Sequence, residues 1–225
     1  MNHKRVSILI PLYNTEEYIE RCINSIPDRA DVEIIVVDDC STDNSIKKAL
    51  IALKQKKLTN WAIYRNERNM GVGYTRNILL DMAIGDYIFF LDSDDYIFSR
   101  HFSDIVDNTL TDQICVKALH INPFGEYFYC SVHRGDFLLR SFVGNMRHPL
   151  VRCHEDTYFK RELRTQKGYK ETLVNKILYY YFEPRINSLT WQDKKQRNEE
   201  AYQKDEKYWI EKCKPEWYKE HKDEM

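Results

Sequence analysis

Apolar residues in this chain fall first into short dense runs and then into four-residue periodicities. Val6 to Leu12 (VSILIPL), Val32 to Val37 (VEIIVV) and Tyr87 to Leu91 (YIFFL) are rich in β-branched and aromatic side chains. Runs of this length predict strands buried on both faces rather than helices. Between them the period changes. Tyr18, Cys22 and Ile26 predict a helix that Asn14 or Thr15 caps, with Glu17 in capping-box position and Pro27 as its stop. Residues 40–45 (CSTDNS) supply caps for a second helix through Ile46, Leu50 and Leu53. Trp61 to Tyr64 reads as a further strand, followed by a helix from Tyr74 to Ala83 with Ile78, Leu79 and Met82 facing the core, and Gly85 breaks the chain before Tyr87. Strands alternating with helices predict an α/β fold with a mostly parallel central sheet covered on both faces.

Beyond Asp95 the alternation fades. Residues 112–121 and 126–133, separated by NPFG, predict an antiparallel pair. DFLLRSF (136–142) resembles a short helix, another helix starts near Glu155, and ETLVNKILYYYFE (171–183) contains an apolar strand. From Trp191 the residues turn charged and aromatic, and a helical tail anchored by Tyr202, Trp209 and Trp217 is expected. The expected organisation is a domain over 1–190, with a nucleotide-binding half (1–98) and an acceptor half (99–190), and a tail over 191–225.

With 225 residues, 43% of them hydrophobic, the chain can bury a full core. Its net charge of −1 and interleaved acidic and basic residues argue against a nucleic-acid partner. The amino terminus has too short an apolar stretch for a signal peptide, and no segment reaches the roughly eighteen apolar residues a spanning helix requires. A cytoplasmic protein, peripheral at most to the inner face of a membrane, is expected. Cys22, Cys40, Cys115, Cys130, Cys153 and Cys213 are scattered without CxxC spacing and read as reduced packing thiols.

Two predicted strands end in carboxylates: Asp38-Asp39, and Asp92, Asp94 and Asp95. Parallel strands place both clusters on the carboxyl rim of the sheet, where ligands collect. Crowded carboxylates repel one another unless a cation relieves them. Hard oxygens at i and i+2 suit Mg2+ or Mn2+, especially one shared with a ligand's phosphates. A solvated acidic turn is the other reading of the same residues.

Five blocks resemble the family 2 glycosyltransferases of GT-A fold, which are inverting and use nucleotide sugars: SILIPLYN (Ser7 to Asn14), IIVVDDCSTDNS (Ile34 to Ser45), NMGVGYTRN (Asn69 to Asn77), GDYIFFLDSDD (Gly85 to Asp95) and HEDTYF (His154 to Phe159). A weaker echo is YYYFEPRINSLT (Tyr179 to Thr190). The resemblance implies that Pro11 and Tyr13 flank a nucleobase, usually uracil, and that Asp39, or less readily Asp38, accepts its imide N–H. It places Arg76 near the nucleotide, where a guanidinium eases the gathering of negative charge. Asp92, Ser93 and Asp94 form the family's DxD motif, which shares a Mn2+ or Mg2+ ion with the diphosphate, Asp94 being the favoured ligand. Glu155-Asp156 matches the family's ED motif, with Asp156 as the base, and partial desolvation is expected to raise its pKa. Capping of a helix start is the alternative for that acidic pair. The chain departs from the pattern twice. Cys40 stands where glycine is common, and Phe182 stands where an arginine usually follows the late aromatic residues, leaving Arg185 and Ser188 as candidates for a phosphate or acceptor contact.

The resulting expectation is transfer of a hexose or N-acetylhexosamine from a UDP-sugar to a glycan hydroxyl. The resemblance implies a glycan or lipid-linked acceptor, with membrane contact through the tail as one option and a tail packed on its own domain or a partner as the other. An inactive nucleotide-binding or partner-binding subunit remains an alternative. A nucleotidyltransferase is a weaker one, since VSILIPLYN lacks a glycine-rich phosphate loop.

Overall fold

In the computed structural model, which describes residues 5–130, 132, 134–151 and 153–182, a nine-stranded sheet organises the chain. Strands β1 (Val6–Leu12), β2 (Val32–Asp38), β3 (Trp61–Arg65) and β4 (Tyr87–Phe90) are its parallel half, in the order β3-β2-β1-β4. Helices α1 (Ile19–Ser25), α2 (Ser45–Gln55) and α3 (Val72–Met82) connect them. Ile8 pairs with Ile34 on one side and Phe89 on the other. Interior strands covered on both faces need apolar residues at every position, which is why their sequences do not alternate. Successive residues then serve opposite layers: Ile8, Ile10, Val36 and Phe89 pack with Cys22, Ile23 and Leu53 on one face, while Leu9, Ile35, Val37 and Phe90 pack with Leu79, Leu80 and Phe159 on the other.

The remaining elements are β5 (Tyr96–Ile97), α4 (Ser99–Asn108), β6 (Cys115–Ile121), β7 (Tyr127–Phe128), β8 (Asp136–Leu139), α5 (Arg140–Val143), α6 (Glu155–Thr165) and β9 (Glu171–Tyr180). β8 runs antiparallel to both β4 and β6, and β9 runs parallel to β6. The sheet therefore continues without a break across position 98.

Several local expectations are corrected. DFLL is a strand rather than a helix. A run of only three apolar residues is ambiguous by periodicity, and Phe137 and Leu138 bury fully between β4 and β6, leaving only Arg140–Val143 helical. Helix α4 was not anticipated, although Phe102, Ile105 and Val106 form its buried face. α2 turns Ala49, Ala52 and Leu53 inward, so small residues meet α1 while Ile46 and Leu50 lie half-buried. Asn14 and Thr15 do not cap α1. The Thr15 N–H donates to Ser45 Oγ at 2.7 Å and its hydroxyl to Ser93 Oγ at 3.0 Å, so the residue staples the end of β1 to α2 and to the turn after β4.

Among the described residues no helix is long and apolar enough to cross a membrane. The expected tail over 191–225, and the candidates Arg185 and Ser188, lie outside the described residues.

Candidate active site

Strand direction assembles the site. The carboxyl ends of β1 to β4 share one rim. Because β8 reverses the direction, β6 and β9 also end at that rim and β8 begins there. Tyr13, Asp38, Asp39, Asn66, Asp92 to Asp95, Arg134 and Tyr181 consequently meet along one edge, which is where open α/β sheets bind ligands.

On the first half of the rim, Pro11 is buried in β1 opposite Val37, and Tyr13 is 42% exposed. Asp38 is fully buried, accepts hydrogen bonds from the Ser41 N–H and hydroxyl, and has Arg65 Nε at 3.5 Å. Asp39 instead clasps the loop after β3. Its Oδ1 accepts from Asn66 Nδ2 and the Met70 N–H, and its Oδ2 from the Gly71 N–H, each at 2.8 Å. A carboxylate offers about four lone-pair sites, so Asp39 retains one on Oδ2 for a ligand N–H, whereas Asp38 is spent internally. Cys40 has φ +64°, the left-handed conformation that explains a preference for glycine at this turn.

On the second half, charges of both signs interlock. Arg76 on α3 is 3% exposed; it donates to Asp92 Oδ1 at 2.8 Å and to Glu155 Oε1 at 2.6 Å, with Asp156 Oδ2 at 3.9 Å. Arg134 reaches Asp92 Oδ2 and Asp156 Oδ2, both at 3.3 Å, and lies 4.8 Å over the Tyr181 ring. Arg76, Asp92, Glu155 and Asp156, each singled out in the sequence, are thus brought together. Arg134 was missed. Its signal was its position just ahead of β8, and that signal was lost when DFLL read as a helix.

Asp94 is half-buried, and its main-chain carbonyl accepts from Arg21 at 2.8 Å. Asp95 is buried and serves the fold, accepting from the Tyr179 hydroxyl and the Phe182 N–H, each at 2.7 Å. The same Tyr179 hydroxyl accepts the Asp92 N–H at 3.1 Å, which fixes the turn after β4 to the end of β9. Burial, reinforced by Asp94 and Asp92, pushes the Asp95 carboxyl well up.

Glu155 and Asp156 open α6, and three contacts set where that helix begins. A Cβ on Gly73 would lie 2.6 Å from the Pro149 carbonyl oxygen, so glycine permits α3 to approach the segment that leads into α6. Asn77 grips the main chain of His148 through both ends of its amide, at 2.7 and 2.9 Å. Farther along α6, Lys160 is 1% exposed and pairs with Asp136 at 3.1 Å and Glu171 at 3.3 Å, pinning the helix to the sheet. The expected upward shift of Asp156 is corrected. Burial does push its carboxyl up, but Arg134 and Arg76, aided by the Thr157 N–H, outweigh burial and hold it below the usual range. Glu155 is the acid that burial raises, to about 7, against the pull of Arg76.

Among the described residues no group of three or more His, Cys, Asp or Glu side chains could hold a metal ion. Asp92 is engaged by two arginines and Asp95 by the fold. These carboxylates do not fit a cation held by protein alone; one bound at this rim would complete its shell with phosphate and water oxygens.

The architecture is that of a GT-A glycosyltransferase. Structures of similar fold include residues 1–349 of Staphylococcus aureus TarS in complex with UDP-GlcNAc (TM-score 0.68, 23% identity, covering 83% of this chain and 60% of that one). Another is the mannosyltransferase PcManGT from Pyrobaculum calidifontis in complex with GDP-Man and Mn2+ (TM-score 0.70, 13% identity, covering 92% and 65%). The family model for glycosyl transferase family 2 matches residues 7–171, and the chain belongs to that family. Among curated relatives, TarS of Staphylococcus aureus, a poly(ribitol-phosphate) beta-N-acetylglucosaminyltransferase, is 33% identical over 129 residues, covering 54% of this chain and 22% of that protein. A poly(ribitol-phosphate) beta-glucosyltransferase of Bacillus spizizenii is 42% identical over 100 residues, covering 43% and 16%. The chain thus spans less than a quarter of the length of these two curated relatives.

Proposed function

We propose that this chain transfers a hexose or N-acetylhexosamine from a UDP-sugar to a glycan hydroxyl by a single inverting displacement. The observation that carries this reading is the meeting of Asp92, Glu155 and Asp156 around Arg76, beside a rim where Tyr13 is exposed and Asp39 keeps one acceptor site. The names of the two curated relatives support GlcNAc or glucose as the sugar, and polyol-phosphate or related glycan chains as acceptors.

In this reading Tyr13 covers one face of the uracil and Asp39 Oδ2 accepts its imide N–H. Asp94, with Asp92 nearby, would hold a Mn2+ or Mg2+ ion together with the diphosphate. When bound, that ion acts as a Lewis acid that offsets charge on the departing nucleoside diphosphate. Asp156 takes the proton of the acceptor hydroxyl as that oxygen attacks the anomeric carbon, and the bond from that carbon to the diphosphate breaks. Two arginines keep Asp156 ionised at neutral pH, so it is present as a base. Arg76 fixes its direction by holding Asp92 and Glu155 on either side.

The test is a thermal-shift panel of UDP, GDP, CDP and TDP, with and without Mn2+, followed by a UDP-release assay with UDP-GlcNAc and UDP-glucose. Any ligand that binds the folded state alone raises the apparent melting temperature. A shift specific to UDP that needs Mn2+ is expected, and Asp156→Asn should keep the shift while losing turnover. No shift with any nucleotide, or near-normal transfer by Asp156→Asn, would sink the proposal.

A further inference from the structure

We propose that Arg134 is a ligand for the donor's diphosphate, and that it covers the base Asp156 until the diphosphate draws it away. This inference rests on the glycosyltransferase reading above.

The two rim arginines differ in how firmly they are held. Arg76 is 3% exposed and makes short bonds of 2.6 and 2.8 Å to Glu155 and Asp92. Arg134 is 21% exposed and reaches each of its two carboxylates at 3.3 Å, a longer and more accessible pair of contacts. Its guanidinium rests on the Tyr181 ring, and Tyr181 is held in place by its N–H to the Ile121 carbonyl at 3.0 Å. The guanidinium thus keeps an aromatic ring on one side while its Nε contacts the two rim carboxylates.

Arg134 also occupies the place an acceptor needs. Asp156 Oδ1 accepts the Thr157 N–H of its own helix at 2.7 Å, and Arg134 stands against Oδ2. A hydroxyl that is to give its proton to Asp156 must come within about 3 Å of the carboxylate, so Arg134 has to yield. The rim supplies the reason for it to move. Asp92 and Asp156 already match Arg76 and Arg134 in charge before Glu155 is counted, and a diphosphate adds further negative charge beside Asp92. The planar fork of a guanidinium fits phosphate as well as it fits carboxylate. Exchange of Asp92 and Asp156 for diphosphate oxygens therefore conserves charge-assisted bonds while it withdraws Arg134 from Asp156 Oδ2.

The experiment titrates uridine and UDP, both with Mn2+, into the wild-type chain, Arg134→Gln and Arg134→Lys, after circular-dichroism melts have established that each variant folds. Uridine carries no phosphate, so its affinity should stay within twofold of wild type in both variants. UDP should bind at least tenfold more weakly to Arg134→Gln, and Arg134→Lys should recover part of that loss through its charge. The inference is overturned if Arg134→Gln binds UDP as wild type does. It is equally overturned if uridine and UDP weaken by the same factor, because the arginine would then serve the pocket as a whole. A wild-type chain that binds neither ligand fails at the donor reading itself, which separates that result from the other two. Should Arg134→Gln not fold, Arg134→Lys decides, since loss of the fork at retained charge should still weaken UDP and spare uridine.

Discussion

Lys160 shows how the helix carrying Glu155 and Asp156 is held, and its removal has a calculable effect. The amine lies 3.1 Å from Asp136, 3.3 Å from Glu171 and 3.4 Å from Cys115 Sγ. Lys160→Met preserves most of the stem and its packing but deletes the charge. Glu171 keeps Arg164 at 3.5 Å and Lys117 at 3.9 Å, whereas Asp136 is fully buried and its Oδ1 has no hydrogen-bond partner among the described residues. Left unpaired, Asp136 can avoid a buried charge by taking up a proton. The ceiling on the loss is then the free energy of protonating a carboxyl of ordinary pKa. That is about 1.4 kcal/mol per pH unit above 3.9, or about 4 kcal/mol at pH 7 and about 1.5 kcal/mol at pH 5. The first figure agrees with the roughly 3–5 kcal/mol found when one partner of a buried ion pair is removed.

The sign is definite. Burial already places the Asp136 carboxyl above its ordinary value, and loss of Lys160 raises it further. An acid whose folded-state pKa is raised contributes stability at low pH and loses it as pH rises, so the penalty must grow with pH. Urea denaturation of wild type and Lys160→Met at pH 5 and pH 7 measures it, with an unchanged m-value as the check on two-state behaviour. The double variant Lys160→Met/Asp136→Leu should regain most of the loss, because an apolar pair of similar volume is often as stable as the ion pair it replaces. A loss that is equal at the two pH values, or a double variant no more stable than the single one, would refute the reasoning.

Gly73→Ala should destabilise the chain by about 1–3 kcal/mol, the usual effect of overpacking, and depress turnover with it, because the new Cβ meets the Pro149 carbonyl oxygen at 2.6 Å and pushes α3 away from the start of α6; chemical denaturation and a transfer assay read the two effects. Asp39→Asn places an amide among three donors that now point at a carboxylate, so it should cost about 1–3 kcal/mol and weaken UDP binding, measured by urea melts and calorimetry. Glu155, raised from 4.5 to about 7, contributes stability that is fully present below 4.5 and lost as pH rises through 7. Glu155→Gln should flatten the pH–stability curve over that window. Asp156 acts in the opposite direction: its lowered carboxyl contributes stability above its ordinary value that is lost as pH falls through its folded-state pKa. A pH series of thermal melts on Glu155→Gln and Asp156→Asn separates the two.

The parallel half of the fold was legible because its physics is local. Val6–Leu12, Val32–Asp38 and Trp61–Arg65 each lie within a residue of the runs read from hydrophobicity alone. A strand covered on both faces has little freedom to look like anything else. Helix starts were less legible, since the side chains offered as caps found better partners across the sheet, as Thr15 did with Ser93. Helix α4 was missed although Phe102, Ile105 and Val106 stand at i, i+3 and i+4 with polar and charged residues on the opposite face.

The same contrast divides the site. In the parallel half the residues that follow β1, β2 and β4 reach the rim by construction, so the clusters at Asp38-Asp39 and Asp92 to Asp95 could be placed there from strand order, while Tyr13 came from the family resemblance. Arg134 reaches it by the opposite rule. β8 is antiparallel to β4, so the rim receives the residues that precede the strand rather than those that follow it. Gly135, whose N–H donates to the Phe90 carbonyl at 3.3 Å, joins the two strands at that edge. Once Asp136–Leu139 is recognised as a strand, the arginine two residues ahead of it falls beside Asp92 by necessity. The direction of a strand in a mixed sheet therefore decides which of its two ends is searched for functional residues. Sequence reading errs there because a run of three apolar residues reveals neither its type nor its direction.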